Sequence, residues 1–199
     1  MKHALIVGHP NQDSFTMTIA RAYAEEARAL GHEVLLRDLY RMGFEPRLGD
    51  REIPRPAGFA AADDVLVERK FIAEADVFAF VYPVWFNLPP AEVVGYVQRV
   101  FGMGFGYGPI HGGRNEPLLV GRSMISFSSS GAPTSWIKSE GGLEALRNLF
   151  DEHVANTCGM KPLDHVHFGR VTPGMAKAHV DESVDTTKRA VRSLATVSV

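Results

Sequence analysis

One polar segment near the N-terminus carries residue types suited to binding phosphate. It runs from Gly8 to Thr16 and opens a predicted helix at Ser14, a residue type that often caps helix N-termini. The free N–H groups and positive dipole end of such a helix attract phosphate, and the hydroxyls of Ser14 and Thr16 stand beside them. The residues alone are equally consistent with a purely structural role, in which Ser14 only caps the helix and Pro10 only forms a turn. The segment has neither the glycine pattern of dinucleotide-binding loops nor the Gly-Lys-Ser/Thr ending of a P-loop.

A second segment, from Tyr82 to Pro90, places Trp85 and Phe86 on a turn braced by prolines. Exposed aromatic rings that are held rigidly are costly to hydrate unless they stack on a partner, such as a flat ligand. Taken alone, however, such a cluster is more often part of a core or a subunit interface.

A third segment, from Ser128 to Trp136, is rich in small residues that let backbone N–H groups approach a flat ligand. The alternative is an ordinary Ser/Gly turn, and no serine in it has the flanking glycines of a hydrolase nucleophile elbow. Together, the three segments offer a phosphate end, aromatic walls and hydrogen-bonding edges, which is the combination that a flavin requires.

The remaining polar candidates are weaker. His165 and His167 alternate on one face of a predicted strand, but no third ligand has the spacing of a metal site, so none is predicted. His111 is expected at a loop rim, Cys158 as a small core residue, and Arg99 as a solvent-exposed helix residue.

Short apolar runs alternate with amphipathic windows, the pattern of successive βα units around a parallel sheet. The predicted strands are His3–Val7, Glu33–Leu36, Val77–Tyr82, Ser123–Phe127 and a short one around Val166 and Phe168. The predicted helices are Phe15–Leu30, Ala61–Ala75, Pro90–Phe101, a fourth marked by Leu143, Leu146, Leu149, Phe150 and Val154, and Asp181–Val197. We expect an α/β fold with a flavodoxin-like, doubly wound sheet in the order 2-1-3-4-5, helices on both faces, and the loops after strands 1, 3 and 4 converging.

Composition narrows the class of protein. The 199 residues are 45% hydrophobic, which predicts one domain spanning residues 1–199. A net charge of −2 disfavours nucleic acid and anionic lipid as partners. The longest apolar stretch, Val77 to Phe86, is too short to span a membrane, and no signal-peptide pattern opens the chain, so we expect a cytoplasmic protein.

Five motifs closely resemble the NAD(P)H quinone dehydrogenases, a family of flavodoxin-like quinone reductases. They are the HP and SF pairs after strand 1, DLYRMGFEP, YPVWFNLPP, GYVQRVF and GFGYG, and they occur in the family's order between residues 1 and 136. The resemblance implies a homodimer with its active site at the interface. It also implies a ping-pong transfer of hydride from NAD(P)H through a noncovalently bound flavin to a quinone. FAD is the expected flavin and FMN the alternative.

The resemblance also implies roles for single residues. By position, the flavin phosphates are held by His9, Ser14, Phe15 and Thr16, the ring is lined by Pro83, Val84, Trp85 and Phe86, and its polar edge is contacted by Ser128, Ser129 and Gly131. Tyr107 matches a tyrosine that reaches into the partner's site. Mammalian-type relatives have a Thr-Thr-Gly-Gly loop followed by a Tyr and a His, proposed to relay a proton. Here the loop is Ser-Ser-Ser-Gly, Trp136 stands at the Tyr position, and the His position falls near Gly142. Trp136 and Tyr107 are therefore the catalytic candidates.

Two other classes compete with the reductase. Some relatives act as ancillary subunits of potassium efflux systems, in which the flavin would serve structure or sensing with little turnover. A hydrolase on a similar sheet rests only on the serine-rich loop after strand 4.

Overall fold

Five parallel strands form one sheet in the computed structural model, which describes residues 1–55, 58–109 and 115–194. The strands are β1 (Lys2–Val7), β2 (Glu33–Asp38), β3 (Val77–Pro83), β4 (Ser123–Ser129) and β5 (Lys161–Phe168). Their order in the sheet is β2-β1-β3-β4-β5, and every neighbouring pair is parallel. The predicted strand order is therefore confirmed. The carboxyl ends of β1, β3 and β4 lie side by side at one edge.

Helices cover both faces of this sheet. They are α1 (Phe15–Ala29), α2 (Asp63–Ile72), α3 (Ala91–Val100), α4 (Thr134–Ser139), α5 (Gly142–Leu146), α6 (His153–Cys158) and α7 (Lys177–Leu194), with a 3-10 turn at Asp50–Glu52 and a π-helical turn at Arg147–Glu152. Side chains of α1 and α7 pack with Leu5, Val81 and Phe127 on one face. Those of α2, α3 and α6 pack with Ile6 and Phe80 on the other. Parallel strands covered on both faces account for their nearly continuous apolar sequence. No helix in these residues combines the length and apolar character that a membrane crossing needs.

The region between residues 134 and 158 differs from the single predicted helix. It is built of α4, α5, the π-helical turn and α6. Leu149, predicted on the buried face, is 74% exposed, whereas Phe150 and Asp151 are buried. A π-helical turn takes more residues than an α-helical one, so it moves the following side chains around the helix axis. The prediction for Leu149 is therefore wrong, and an aspartate faces the interior instead. The predicted end of α7 beyond Leu194 lies outside the described residues.

The prediction for Arg99 is also wrong, because its side chain is only 4% exposed. The Arg99 guanidinium donates through Nε to Glu52 at 3.1 Å and through both Nη atoms to Asp64 at 2.8 and 2.9 Å. It also donates to the carbonyl of Glu45 at 2.5 Å. Gly95 sits one helical turn earlier on α3, and a Cβ there would lie 2.2 Å from the Pro46 carbonyl. Arg99 and Gly95 thus hold the segment after β2 closely against α3.

Acid should destabilise the fold through His3, which is wholly buried on β1. Its Nδ1 lies 2.6 Å from the Tyr23 hydroxyl, and burial, followed by the nearby His32, lowers the pKa of His3 to about 4. The unfolded chain binds a proton at His3 near pH 6.5, but the folded chain does not until about pH 4, so the free energy of unfolding falls as the pH drops through this window. Between pH 7 and pH 5, the protonation of His3 should lower the free energy of unfolding by about 2 kcal/mol.

Denaturant unfolding of the wild type and of His3→Gln at pH 7 and pH 5 measures this loss. The variant should lose less stability than the wild type over the same interval. His153→Gln, at an exposed histidine, is the matched control and should follow the wild type. Equal losses in the wild type and His3→Gln would contradict the assignment to His3.

Candidate active site

The loops after β1, β3 and β4 meet around one cleft of about 180 Å³. Its walls are formed by His9, Phe15, Thr16, Pro83, Val84, Trp85, Ser129, Ser130, Gly131 and Val171. The cleft lies at the carboxyl edge of the sheet between β1 and β3, where the strand order reverses. Ligands of open α/β sheets bind at this switch point.

The turn after β1 forms the first wall and presents a helix N-terminus. The Ser14 hydroxyl accepts the N–H of Met17 at 3.2 Å, so Ser14 caps α1. Helix geometry leaves the N–H groups of Phe15 and Thr16 without intrahelical partners. Arg21 donates to the carbonyl of Gln12 at 2.9 Å, and Arg41 donates to that of Pro10, so two guanidinium groups bring positive charge to the turn.

Gly8 allows this turn to lie directly on α3. A Cβ at Gly8 would stand 2.4 Å from Cγ2 of Val93, closer than real side chains approach. The Gly8 N–H donates to the carbonyl of Val81 at 3.1 Å and extends the β1–β3 pairing into the loop. The phosphate-binding candidates are thus fixed to the end of β3.

The turn after β3 forms the aromatic wall. Trp85 and Leu88 exchange backbone hydrogen bonds of 3.0 Å, and the two residues between them, Phe86 and Asn87, have φ values of 52° and 59°. A bulky residue in this left-handed region is strained, and such strain tends to be retained at functional sites. The turn leaves Trp85 46% exposed beside the cleft, with its ring centroid 6.1 Å from that of His9. Burial lowers the pKa of His9.

Backbone hydrogen bonds join the neighbouring loops into one frame. The N–H of Val84 donates to the carbonyl of Ser129 at 2.7 Å, which ties the aromatic turn to the loop after β4. The Ser130 N–H donates to Phe168, and Val171 donates to Ser130, each at 2.9 Å, which ties that loop to the end of β5. The cleft walls are therefore held by main-chain contacts.

Most of the candidate flavin-binding residues come together in the cleft. Those in its walls are His9, Phe15, Thr16, Pro83, Val84, Trp85, Ser129 and Gly131. Ser14 lies next to them as the cap of α1, and Phe86 projects fully into solvent. Ser128 differs, because its side chain is buried and its hydroxyl bonds to two histidines in the interior.

Sequence reasoning missed Ser130 and Val171 as members of the cleft. Ser130 lies within the segment from Ser128 to Trp136, but no role was predicted for it. Val171 follows β5, the strand next to β4. Applying the convergence rule to the loop after β5 would have found Val171.

The two catalytic candidates lie apart from the cleft. Trp136 is on α4 and is 53% exposed, and Tyr107 is partly buried in the loop after α3, where its carbonyl accepts the N–H of Gly104 at 2.8 Å. Neither contributes to the walls of the cleft in its own chain. His111 lies outside the described residues.

Cys158 is 2% exposed in the core, as predicted, and burial raises the pKa of its thiol to about 12. In the part of the chain that the structure describes, no group of three or more His, Cys, Asp or Glu side chains could hold a metal ion. The chemistry of the site must therefore be judged from the cleft itself.

The cleft fits the parts of a flavin. The α1 N-terminus with its flanking arginines suits phosphate, Trp85 gives an aromatic face, and the Ser129–Gly131 loop gives hydrogen-bonding groups without bulky side chains. The volume of 180 Å³ is below the roughly 300–1,000 Å³ of pockets that enclose a whole small molecule, so a flavin would be only partly enclosed by one chain.

This fold and site define a flavodoxin-like protein, and comparison with known proteins agrees. The family model for the flavodoxin-like fold matches residues 1–193, so the chain belongs to this family. Over 172 residues it is 31% identical to a protein of Haemophilus influenzae named as an uncharacterized NAD(P)H oxidoreductase, covering 86% of this chain and 85% of that one.

Two further comparisons point to the same group. The chain is 27% identical over 156 residues to the human ribosyldihydronicotinamide dehydrogenase [quinone], covering 69% of this chain and 67% of the human protein. The solved structure of an NAD(P)H:quinone oxidoreductase from Methanothermobacter marburgensis superposes with a TM-score of 0.86 at 27% identity, covering 98% and 96% of the two chains. The resemblance found in the sequence is confirmed.

Proposed function

We propose that this protein is an NAD(P)H dehydrogenase (quinone), a flavoprotein that passes hydride from NAD(P)H to quinones or similar acceptors. The convergence of three loops on one cleft at the switch point of the sheet carries this proposal. The names of the relatives from Haemophilus influenzae, human and Methanothermobacter marburgensis support it. Reductant and acceptor use the cleft in turn, in a ping-pong sequence.

Bound flavin supplies the two-electron acceptor and donor that this chemistry needs. The N–H groups of Phe15 and Thr16 and the Ser14 hydroxyl would hold its phosphates. Pro83, Val84 and Trp85 would line its ring, and Ser129 and Gly131 would contact its polar edge. The SFTMTIA run at the start of α1 resembles the FAD-binding branch of the family, which favours FAD, with FMN as the alternative. The protein's contribution is to position the reactants, exclude water and donate hydrogen bonds.

A second copy of the chain completes the site in this proposal. Phe86 and Leu88, on the turn after β3, are 101% and 59% exposed. Asn87, between them, instead packs near Gly142 at the start of α5. Exposed apolar side chains next to an incompletely closed cleft are typical of an interface. In this homodimer, Phe86 would lie against the flavin ring and Tyr107 would enter the partner's site. Trp136, on α4, remains the catalytic candidate. We place the protein in the reducing cytoplasm.

The hydrolase alternative meets a steric obstacle. Asp151, His165 and Ser128 are hydrogen-bonded in the order found in serine hydrolases, at 2.5 and 2.6 Å. However, Ser128 is 1% exposed and lies outside the walls of the cleft, so its hydroxyl is inaccessible to an acyl substrate.

Visible absorption spectroscopy tests the proposed function. The purified protein is reconstituted with excess FAD, desalted, and mixed anaerobically with NADPH or NADH, followed by a quinone. We expect retained flavin whose absorbance bleaches with the nucleotide and returns with the quinone. Such a cycle requires each half-reaction to proceed separately, as in a ping-pong mechanism.

The other outcomes separate the alternatives. Retained flavin that neither nucleotide reduces would favour an ancillary subunit of a potassium efflux system. A lack of retained flavin, repeated with FMN, would overturn the flavoprotein proposal. Labelling by a serine-reactive probe, abolished in Ser129→Ala, would then support a hydrolase.

A further inference from the structure

A continuous chain of hydrogen bonds runs from the π-helical turn to the cleft. Asp151 Oδ2 lies 2.5 Å from His165 Nδ1, and His165 Nε2 lies 2.6 Å from the Ser128 hydroxyl. The same hydroxyl lies 2.7 Å from His167 Nδ1, and His167 Nε2 lies 3.0 Å from the Ser130 hydroxyl. Four polar links thus connect a buried carboxylate with the wall of the cleft.

The inner end of the chain is sealed and the outer end is open. Asp151 and His165 are each 6% exposed and Ser128 is 1% exposed. A further buried hydroxyl, that of Ser126, donates to the second oxygen of Asp151 at 2.5 Å. Ser130, in contrast, lines the cleft. The hydrogen-bonded path therefore ends at Ser130 in the cleft, and His167, the link before it, is half-buried and also borders a second cavity.

Counting donors and acceptors gives two fully hydrogen-bonded arrangements. In the first, Ser130 donates to the carbonyl of Ala132 at 3.1 Å, so it accepts from His167 Nε2–H. His167 Nδ1 must then accept from Ser128, whose oxygen accepts from His165 Nε2–H. Because His165 Nδ1 faces a carboxylate, it also carries hydrogen, and His165 is an imidazolium in this arrangement.

In the second arrangement every link between His165 and Ser130 is reversed. Ser130 donates to His167 Nε2, His167 Nδ1–H donates to Ser128, and Ser128 donates to His165 Nε2. His165 is then neutral, with its remaining hydrogen on Nδ1 facing Asp151. The two arrangements differ by one proton.

We propose that this chain stores one proton on His165 and delivers it through Ser128, His167 and Ser130 to the oxygen of the acceptor reduced in the cleft. The inference rests on the proposed function. Reduction of a quinone by NAD(P)H gives a hydroquinone and NAD(P)⁺ and consumes one proton. Ser130 gives its proton to the acceptor oxygen and takes a proton from His167. His167 in turn takes a proton from Ser128, and Ser128 takes the stored proton from His165. Water in the open cleft restores the proton when the product leaves.

The environment of His167 favours its neutral form. Burial, followed by the charges of His165 and Lys138, lowers the pKa of His167 to about 4. The groups around the two histidines are Asp151 from the π-helical turn, Tyr82 from β3, Asp164 from β5, Lys138 from α4, and His179 and Glu182 from α7, which share a cavity wall with His167. Among them, the Asp151 carboxylate is the group in direct contact with His165, with its Oδ2 2.5 Å from Nδ1.

Nitrogen NMR of the histidine-labelled full chain without flavin tests the proton store directly. In the state that holds the stored proton, we expect both His165 nitrogens to be protonated and His167 to carry hydrogen on Nε2. As the pH rises, loss of the His165 charge should move the His167 hydrogen from Nε2 to Nδ1 in the same step. If His167 keeps one tautomer while His165 titrates, or if His165 keeps one charge state from pH 5 to pH 10, the proposal is wrong.

Ser128→Ala removes the link between the histidines and should abolish this coupled change. The matched control is Ser183→Ala, at a buried serine on α7 whose hydroxyl donates to the carbonyl of His179 at 2.8 Å. The control should keep the coupling of the wild type. If Ser128→Ala does not fold, the titration of the wild type still decides the question.

Kinetics of the flavin-loaded enzyme separate the proton path from the proposed function. Ser128→Ala and Ser130→Ala should lower kcat with a quinone by about ten- to a hundredfold at unchanged KM. In both variants the rate with the quinone should fall relative to the rate with ferricyanide, which accepts electrons without protons. A wild type inactive with both acceptors would overturn the proposed function. Variants that match an active wild type with the quinone would overturn only the proton path.

Discussion

Replacing Trp85 with alanine should weaken flavin binding by about ten- to a hundredfold and leave the stability of the fold nearly unchanged. The Trp85 ring lines the cleft but is 46% exposed, so its removal takes away a stacking surface and little of the core. Stacking of a planar ring system on an aromatic side chain contributes about 1–3 kcal/mol, which corresponds to this change in affinity. Quinone reduction at limiting flavin should fall in parallel.

Titration of flavin fluorescence with the apo-protein gives the affinity, and thermal unfolding checks the fold. Trp85→Phe keeps an aromatic face and should bind with intermediate affinity. Phe71→Ala is the matched control, since Phe71 is a 51% exposed aromatic residue on α2, outside the walls of the cleft. Wild-type affinity in Trp85→Ala would remove Trp85 from the cofactor site.

The strands and the place of the cleft could be predicted because they depend on local sequence and general topology. β1 and β3 are covered on both faces, so their apolar runs identify them. Once the order β2-β1-β3-β4-β5 is assumed, the loops at one edge must converge, whatever their detailed conformation. The aromatic turn at Trp85 and the helix cap at Ser14 therefore met where they were expected.

The polar interior could not be predicted, because its partners are distant in the sequence. Ser128 is 37 residues from His165, so nothing in the serine-rich loop indicates that this one hydroxyl turns inward. Asp151 lies on the π-helical turn, where it is buried beside Phe150 while Leu149 is exposed.

Arg99→Met should lower the free energy of unfolding by about 3–5 kcal/mol. Sequence alone places an arginine on a solvated helix face, yet the Arg99 guanidinium is buried against Glu52, itself 8% exposed and 47 residues away. Methionine has a similar length but no charge, so the Glu52 carboxylate would stay buried without its cation. Asp64, whose side chain is half exposed, can turn to water instead.

Urea unfolding of three variants separates the lost ion pair from a general loss of packing. The double variant Arg99→Met/Glu52→Gln should be more stable than Arg99→Met alone, because it removes the uncompensated carboxylate. Arg147→Met, at an exposed arginine, should change stability by less than about 0.5 kcal/mol. If the double variant is no more stable than the single one, the cost lies in packing.

Arg99→Met should also bind flavin more weakly. Arg41 connects the segment after β2 to the Pro10 carbonyl, so releasing this segment from Arg99 should leave the phosphate end of the cleft less fixed.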